Sequence, residues 1–192
     1  MENLETLIKE HFGHLSSQEV GIIRSYFQKE KLRKNDFFTK PDKICNKLSF
    51  VKSGIHRVYA LSDGKEITQW ISTENLLLTE VMGFFFNLPN RWTIQALTEI
   101  ELLTISKANY LKLCKEFPKW NEIEKLLIMK CFVMLEDRVF THLSMTSEER
   151  YDLYFEQNKE LFNQAPLQYI ASVLGMTPET FSRIRKRQKE DS

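Results

Sequence analysis

The sequence has few of the residues on which metal centres and disulfide frameworks depend. Its 192 residues include three cysteines, Cys45, Cys114 and Cys131, which are too far apart to form a zinc or iron–sulfur ligand cluster. Their odd number and wide spacing suit a reducing cytosol, and we expect each thiol to pack in a hydrophobic core. No apolar run approaches the roughly 18 residues that a membrane span needs. The first residues also lack the basic and apolar regions of a signal peptide, so we predict a cytoplasmic protein without a membrane span.

Groups of catalytic side chains are equally scarce. Of the four histidines, at positions 11, 14, 56 and 142, only His56 falls in a segment with β-strand character. Metal-dependent jelly rolls need paired histidines and a carboxylate on neighbouring strands. Glu66, Glu74 and Glu80 are better interpreted as surface or loop charges, and no glycine-rich phosphate loop occurs. We therefore predict no catalytic residue, no metal and no cofactor, which disfavours a small enzyme on a jelly-roll scaffold.

The composition is that of an ordinary globular chain, with 42% hydrophobic and 28% charged residues and a formal net charge of +1. A net charge near zero excludes neither nucleic acid nor acidic ligands, because local patches matter more than the sum. Apolar residues within 2–28 follow helical spacing. Gly13 breaks that spacing, and Ser16 or Ser17 can cap a second helix that runs through Phe27.

The segment from about residue 32 to residue 106 has β character. Short runs of β-branched and aromatic residues alternate with turn sequences, which predicts an antiparallel β unit rather than a parallel sheet. The clearest hairpin runs from His56 to Ile71. Alternating residues flank Asp63-Gly64 there, and the glycine tolerates the positive φ that such turns need.

A long helix is predicted from Pro118 to about Leu143, because no glycine or proline interrupts this segment. One stripe of apolar residues recurs at helical spacing: Leu126, Met129, Val133, Phe140 and Leu143, with Glu136 interrupting it. Four further residues widen the apolar face: Ile123, Leu127, Met134 and Leu135. A face this broad needs two partners, which we expect to be the β unit on one side and the same helix of a second copy on the other. We favour a second copy of the chain over packing within one chain, and so predict a homodimer through residues 118–143.

Residues 167–187 have the pattern of two short helices joined by a tight turn. Four residues share the inner face of the first helix: Leu167, Ile170, Ala171 and Leu174. Gly175 can adopt the left-handed conformation of the turn. Thr177 is a suitable N-cap, and Pro178 suits the first helical position. In the second helix, Phe181 and Ile184 point inward.

The outward face of the second helix predicts contacts with DNA. Four residues on that face can reach base edges in the major groove: Glu179, Ser182, Arg183 and Lys186. Four others are placed for phosphates: Thr177, Arg185, Arg187 and Lys189. Residues 178–189 hold five basic side chains against one acidic side chain, so their local charge is +4 and binding should depend steeply on salt. The pattern favours a helix-turn-helix over an amphipathic hairpin with a solvated basic face.

With these residues in view, the chain resembles the Crp/Fnr family of bacterial transcription regulators over nearly its whole length. The stretches Phe50-Val-Lys-Ser-Gly-Ile-His-Arg-Val-Tyr59 and Asp63-Gly-Lys-Glu66 are similar to the family's barrel strands and hairpin. Glu179-Thr-Phe-Ser-Arg183 matches the family's E-x-x-S-R recognition motif. The resemblance implies that Glu179, Ser182 and Arg183 read a palindromic site with TTGA-type half-sites.

The C-terminal end is similar to the short Bacteroidetes-type form of this family. Family members usually frame the helix-turn-helix with β-hairpins, whereas about five residues follow Arg187 here. We expect DNA affinity to depend correspondingly more on the recognition helix, 178–188, and on dimer avidity.

The resemblance implies an α+β fold. It consists of an N-terminal antiparallel β-barrel or jelly roll of cyclic-nucleotide-binding type with flanking helices, a long dimerisation helix and an all-α helix-turn-helix domain. We assign residues 1–116 to a sensor domain, 117–144 to the dimerisation helix and 145–192 to the DNA-binding domain. The implied partners are double-stranded DNA, a second copy of the chain, an unidentified small-molecule effector and RNA polymerase, with no membrane.

The cyclic-nucleotide pocket departs from the family's pattern. Members that bind cyclic AMP place a Gly-Glu pair before a short helix and an Arg-Ser or Arg-Thr pair ten residues after the Glu. The matching positions here are Thr79-Glu80 and Asn90-Arg91, so the glycine is lost and the arginine comes one residue late. On a strand, a shift of one residue turns a side chain to the other face. We therefore predict a degenerate ligand pocket at these four residues, with Arg91 pointing outward unless a bulge intervenes.

Our main hypothesis is thus a homodimeric, sequence-specific DNA-binding regulator. The alternative is a ligand-binding module whose helical tail contacts protein and binds no DNA.

Overall fold

The computed structural model describes residues 15–73 and 77–190, with the side chains of the last helix described through Gln188. The helix predicted before Gly13 lies outside the described residues, as do His11, His14 and Glu74. The described helices are α1 (Ser17–Ser25), α2 (Val81–Phe86), α3 (Lys107–Glu116), α4 (Lys119–Ser144), α5 (Ser147–Gln157), α6 (Leu161–Gln164), α7 (Leu167–Val173) and α8 (Pro178–Glu190). The strands are β1 (Gln28–Leu32), β2 (Phe37–Thr39), β3 (Lys47–Ser53), β4 (His56–Ser62), β5 (Lys65–Ser72), β6 (Leu77–Leu78), β7 (Thr93–Ala96) and β8 (Ile100–Ser106).

The strands form two four-stranded sheets, in the orders β1-β8-β3-β6 and β2-β7-β4-β5. Strands β1 and β3 both pair antiparallel with β8, so that Glu30 and Val51 lie on either side of Leu102. This antiparallel jelly-roll arrangement with flanking helices confirms the predicted α+β class and the predicted β unit. Asp63 and Gly64 both have positive φ, 49° and 75°, which is the conformation that a tight two-residue hairpin turn requires.

The chain divides into two compact units, residues 1–58 with 72–131, and residues 59–71 with 132–192. Most of the β4–β5 hairpin thus belongs to the same unit as the C-terminal helices. The division predicted from the sequence, into residues 1–116, 117–144 and 145–192, stays a prediction.

In the first unit, apolar side chains from α1, α3 and the start of α4 pack on the sheet that contains β3 and β8. The Phe27 ring lies 5.6 Å from that of Phe50 and 6.1 Å from that of Trp120. The predicted cap of α1 is present, because Glu19 N–H donates to Ser16 Oγ at 3.3 Å. This helix ends at Ser25, two residues earlier than predicted.

The predicted burial of the cysteines is confirmed for one of them. Cys45 is 4% exposed and packs in a second cluster with Phe38 and Val51. Cys114 is half-buried against the core that contains Phe27 and Phe50, and Cys131 is half-buried. All three are free thiols.

In the second unit, α7 and α8 begin at the predicted residues, Leu167 and Pro178, and the predicted turn joins them, while α8 ends at Glu190, two residues later than predicted. Gly175 has φ +68°, and Met176 N–H closes the end of α7 by donating to the carbonyl of Ala171 at 2.9 Å. Five inner residues are at most 3% exposed: Ile170, Ala171, Leu174, Phe181 and Ile184. The Phe181 ring also contacts the Tyr151 ring at 5.3 Å, which fixes α8 against α5.

Candidate nucleic-acid interface and nucleotide pocket

Helix α8 turns its polar face to solvent. Phe181 and Ile184 are 2% and 3% exposed, so these two residues anchor the helix in the core of the second unit. On the opposite side lie four exposed residues: Glu179, Ser182, Arg183 and Lys186. The sequence-predicted base-contacting residues are therefore brought together on one accessible helix face.

Glu179 is an ionised acceptor at the start of this face. Thr177 caps the helix, because its hydroxyl accepts a hydrogen bond from Thr180 N–H at 3.2 Å. The Glu179 backbone N–H and the Thr177 hydroxyl lower the pKa of the Glu179 carboxyl. The group is thus a carboxylate at neutral pH, which can accept hydrogen bonds but cannot donate them.

The residues predicted to contact phosphates lie in different environments. Thr177 is exposed at the N-cap, and Arg185 is half-buried. Arg187 is exposed, and its guanidinium forms an ion pair with Glu148 of α5 at 2.7 Å. Lys189 belongs to α8, and its side chain lies outside the described residues.

The predicted nucleotide pocket is organised by Glu80, which caps the six-residue helix α2. This side chain is 2% exposed and accepts hydrogen bonds from Gly83 N–H at 2.7 Å and from Arg91 N–H at 3.4 Å. Both carboxylate oxygens are thus engaged by the protein's own backbone. The neighbouring Thr79 hydroxyl donates to the Lys47 carbonyl at 2.9 Å.

Asn90 fills the centre of the same region and is 4% exposed. Its side-chain oxygen accepts from Cys45 N–H at 2.9 Å. Its amide nitrogen donates to Thr39 Oγ1 at 2.5 Å and to the Lys40 carbonyl at 2.9 Å. Both amide hydrogens are therefore used within the protein.

Gly83 allows this close packing. A β-carbon at that position would overlap the Asn90 side-chain oxygen and the Cys45 backbone. Sequence reasoning assigned no packing role to Gly83 and did not place Cys45 in this region. A glycine within an otherwise apolar helix was the available signal, because a helical glycine costs about 1 kcal/mol unless close packing requires it.

Arg91 lies outside the region that Glu80 and Asn90 close. Its side chain is exposed, and its guanidinium carbon lies 5.0 Å from the centre of the Trp92 ring. Of the four predicted pocket residues, the structure thus brings Thr79, Glu80 and Asn90 side chains together around Cys45 and α2, and it leaves the Arg91 side chain apart.

Two further kinds of feature are absent from residues 15–73 and 77–190. That part of the chain contains no group of three or more histidine, cysteine or acidic side chains placed to hold a metal ion. None of its helices is both long enough and apolar enough to cross a membrane.

Comparison with known families assigns the class of the β unit. A sequence profile described as "Cyclic nucleotide-binding domain" matches residues 29–117. This range runs from β1 through β8 and includes α2 and α3. Residues 29–117 therefore form a domain of the cyclic nucleotide-binding class.

Three solved structures have a similar fold over almost the whole chain. The Catabolite Activator Protein of Thermus thermophilus is 22% identical, with a TM-score of 0.57 over 94% of this chain and 86% of that chain. A CooA mutant from Carboxydothermus hydrogenoformans is 18% identical, with a TM-score of 0.64 over 96% and 84%. The c-di-GMP-responsive global regulator CLP of Xanthomonas campestris is 15% identical, with a TM-score of 0.68 over 92% and 93%. At these identities the likeness shows the fold, and no curated protein sequence matches the chain.

The residues at the matching positions do not fit a cyclic nucleotide of the kind the family profile is named for. A cyclic phosphate needs a cation, and the position that carries the arginine in the resembled family holds the neutral Asn90. All of the Asn90 amide hydrogens and both Glu80 oxygens already have partners in the chain. Binding would therefore have to break buried hydrogen bonds without the gain of an ion pair.

Proposed function

We propose that this chain is a sequence-specific DNA-binding transcription regulator that acts as a homodimer. The observation that carries the proposal is the orientation of α8, with Phe181 and Ile184 buried and Glu179 and Arg183 exposed on the other side. In this proposal α7 and α8 form a helix-turn-helix, and residues 178–188 enter the major groove.

The exposed face has the chemistry of base recognition. Arg183 can donate two hydrogen bonds to guanine O6 and N7, and the Glu179 carboxylate can accept one from cytosine N4. Arg183 forms no ion pair within the described residues, so its guanidinium does not have to leave a carboxylate before it binds DNA. The likeness of the fold to a catabolite activator and to a global regulator agrees with this function.

The second copy in the proposed dimer covers the apolar side of α4. The stripe residues are strongly exposed in the single chain: Leu126 52%, Met129 48%, Val133 51%, Phe140 65% and Leu143 82%. A continuous apolar surface on one helix is typical of an interface. Because a two-fold dimer presents two recognition helices, we propose an operator with half-sites about 34 Å apart. RNA polymerase is the further partner that the regulatory role implies.

The β unit is the proposed sensor, with a degenerate nucleotide pocket. A chain of contacts leads from that pocket to the start of α4, all within the first unit. Lys107 donates to the Phe84 carbonyl of α2, and the Phe84 ring lies 5.0 Å from that of Tyr110. The Tyr110 hydroxyl in turn donates to Glu124 of α4 at 2.8 Å. A change at α2 can therefore reach the dimerisation helix through packed side chains.

The proposal is tested by selecting bound sequences from random duplex DNA with the full chain. We expect enrichment of one palindromic motif. Arg183→Ala should lose the preference at one position of each half-site while retaining weak binding to any duplex. The matched control is Arg24→Ala, because Arg24 is an exposed arginine on α1 and belongs to neither α7 nor α8. No enrichment over input DNA would overturn the proposal and would favour a protein-binding role for the helical tail.

A further inference from the structure

Arg138 of α4 is a half-buried cation that contacts backbone carbonyls and an aromatic ring, but no carboxylate, within the described residues. Its guanidinium donates one hydrogen bond to the Gln69 carbonyl and one, at 2.9 Å, to the Val173 carbonyl. The guanidinium also lies 5.3 Å from the centre of the Trp70 ring. Burial lowers the pKa of Arg138, which reports the cost of holding this charge away from water. It forms no ion pair with any described carboxylate.

Arg150 of α5 is in a similar situation at the same end of α7. It donates to the Leu174 carbonyl at 3.2 Å and to the Met145 carbonyl at 2.7 Å. It likewise has no carboxylate partner in the described part of the chain. Two guanidinium groups thus converge on the C-terminal carbonyls of α7 without a full negative charge to balance them.

Both arginines line a cavity of about 470 Å³ that lies entirely within the second unit. A volume of this size falls in the range of about 300–1,000 Å³ that is typical of small-molecule sites. Its walls are largely apolar, and six of the lining residues are Trp70, Ile71, Met134, Leu153, Tyr154 and Val173. Asp137 is the one acidic residue that lines it, and within the described residues it forms an ion pair with neither arginine.

The hydrogen-bonding capacity of Arg138 is not exhausted. A guanidinium has five N–H donors, and the two carbonyls occupy two of those of Arg138. Buried charges in proteins are usually paired, because an unpaired charge loses its hydration without compensation. Arg138 therefore lacks a charged partner. An anion attached to an apolar body would supply that partner and would suit the apolar cavity.

We propose that this cavity binds a small organic carboxylate. The carboxylate pairs with Arg138, and the apolar body packs against Trp70 and Leu153. The site shares no residue with the nucleotide pocket around Glu80 and Asn90. Arg138 joins Gln69 of the β4–β5 hairpin to Val173 of α7. An anion bound to Arg138 would therefore strengthen the link between this hairpin and the α7–α8 helix pair.

The test uses 1-naphthoate and its neutral analogue 1-naphthamide as probes of the full chain. The indole N–H signals of the protein are followed by NMR, and Trp70→Phe assigns the reporter in the cavity. Trp92 and Trp120, which do not line the cavity, are internal controls. We expect 1-naphthoate to shift the Trp70 signal saturably, with at least tenfold tighter binding than 1-naphthamide.

Two variants separate the contribution of the Arg138 charge to binding from that of the cavity volume. Arg138→Met should abolish the preference for the carboxylate, while Leu153→Trp should fill the cavity and weaken binding of both probes at least tenfold. Leu111→Trp is the matched control for the added indole, because Leu111 is exposed on α3, and it should bind both probes as the parent does. The Leu153 variant leaves the Arg138 hydrogen bonds in place, so the test does not depend on the stability of the Arg138 variant.

Equal affinity for the two probes in the parent chain would overturn the proposal, and so would a Trp70 signal that neither probe shifts. Neither result would bear on DNA recognition by α8, which the selection experiment measures separately.

Discussion

Arg187 Nη1 of α8 lies 2.7 Å from Glu148 Oε1 of α5, so a residue proposed to contact phosphate is held by a carboxylate in the free protein. Both side chains are largely exposed, 66% and 51%, and exposed pairs contribute little stability. The carboxylate is therefore better viewed as a competitor of the phosphate than as a structural requirement.

We predict that Glu148→Gln raises DNA affinity about threefold at low salt, because Arg187 no longer exchanges one anion for another. A gel-shift titration at two salt concentrations measures the effect. Glu156→Gln is the control, since it removes the same charge from the same helix, where Glu156 pairs with Lys159 at 2.8 Å. Equal gains in the two variants would show that only net charge matters and that the Arg187 pair is irrelevant.

Asn90 should be important for stability rather than for ligand binding. Asn90→Ala leaves the buried Cys45 N–H and the partly buried Lys40 carbonyl without their side-chain partner. We expect the free energy of unfolding to fall by about 3 kcal/mol, as measured by denaturant titration. Asn163→Ala, at an exposed position of α6, should change it by less than about 0.5 kcal/mol. Similar small losses in both variants would contradict the closed arrangement around Glu80.

His56 of β4 should make the protein sensitive to mild acid. This side chain is 3% exposed, its Nδ1 has no partner within the described residues, and burial lowers its pKa from 6.5 to about 4. Between these two values the unfolded chain binds a proton that the native chain does not bind. The contribution of neutral His56 to the free energy of unfolding is therefore fully present above about pH 6.5, and it decreases as the pH falls towards 4.

We predict that this residue accounts for about 2 kcal/mol of the stability lost between pH 7 and pH 5. His56→Gln should reduce the pH dependence by that amount, whatever its effect at pH 7. Asn163→Ala, which removes no titratable group from an exposed position of α6, provides the comparison and should leave the pH dependence unchanged. The measurement is the free energy of unfolding at both pH values, and an unaltered slope in His56→Gln would exclude this residue as the source.

The apolar stripe on α4 predicts the oligomeric state. Val133→Glu places a charge in the middle of the stripe and should convert the dimer into a monomer, because a buried carboxylate without a partner is costly. Val81→Glu makes the same change at an equally exposed valine, 54% against 51%, on α2, and should leave the dimer intact. Sedimentation velocity at micromolar concentration distinguishes these results. A parent chain that sediments as a monomer would rule out the stripe as a dimer interface.

Several elements were predictable because their determinants are local. The α7–α8 turn follows from Gly175, which takes positive φ, and from Thr177 and Pro178, which begin the next helix. The β4–β5 hairpin follows similarly from Asp63-Gly64. The nucleotide region was only partly predictable. The sequence shows that Thr79 replaces the family's glycine and that Arg91 comes one residue after the family's arginine position. The partners of Asn90, at Thr39, Lys40 and Cys45, lie 45 to 51 residues away along the chain.

The sequence by itself determined the periods, caps and turns of this protein, and with them the two faces of α8. Those features depend on neighbours within one or two turns of the same chain segment. Only the tertiary structure decided that Glu148 holds Arg187 and that Arg138 joins Gln69 to Val173. Such pairings depend on which distant segments meet when the apolar faces are buried. The spacing of residues along a sequence does not specify those contacts between distant segments.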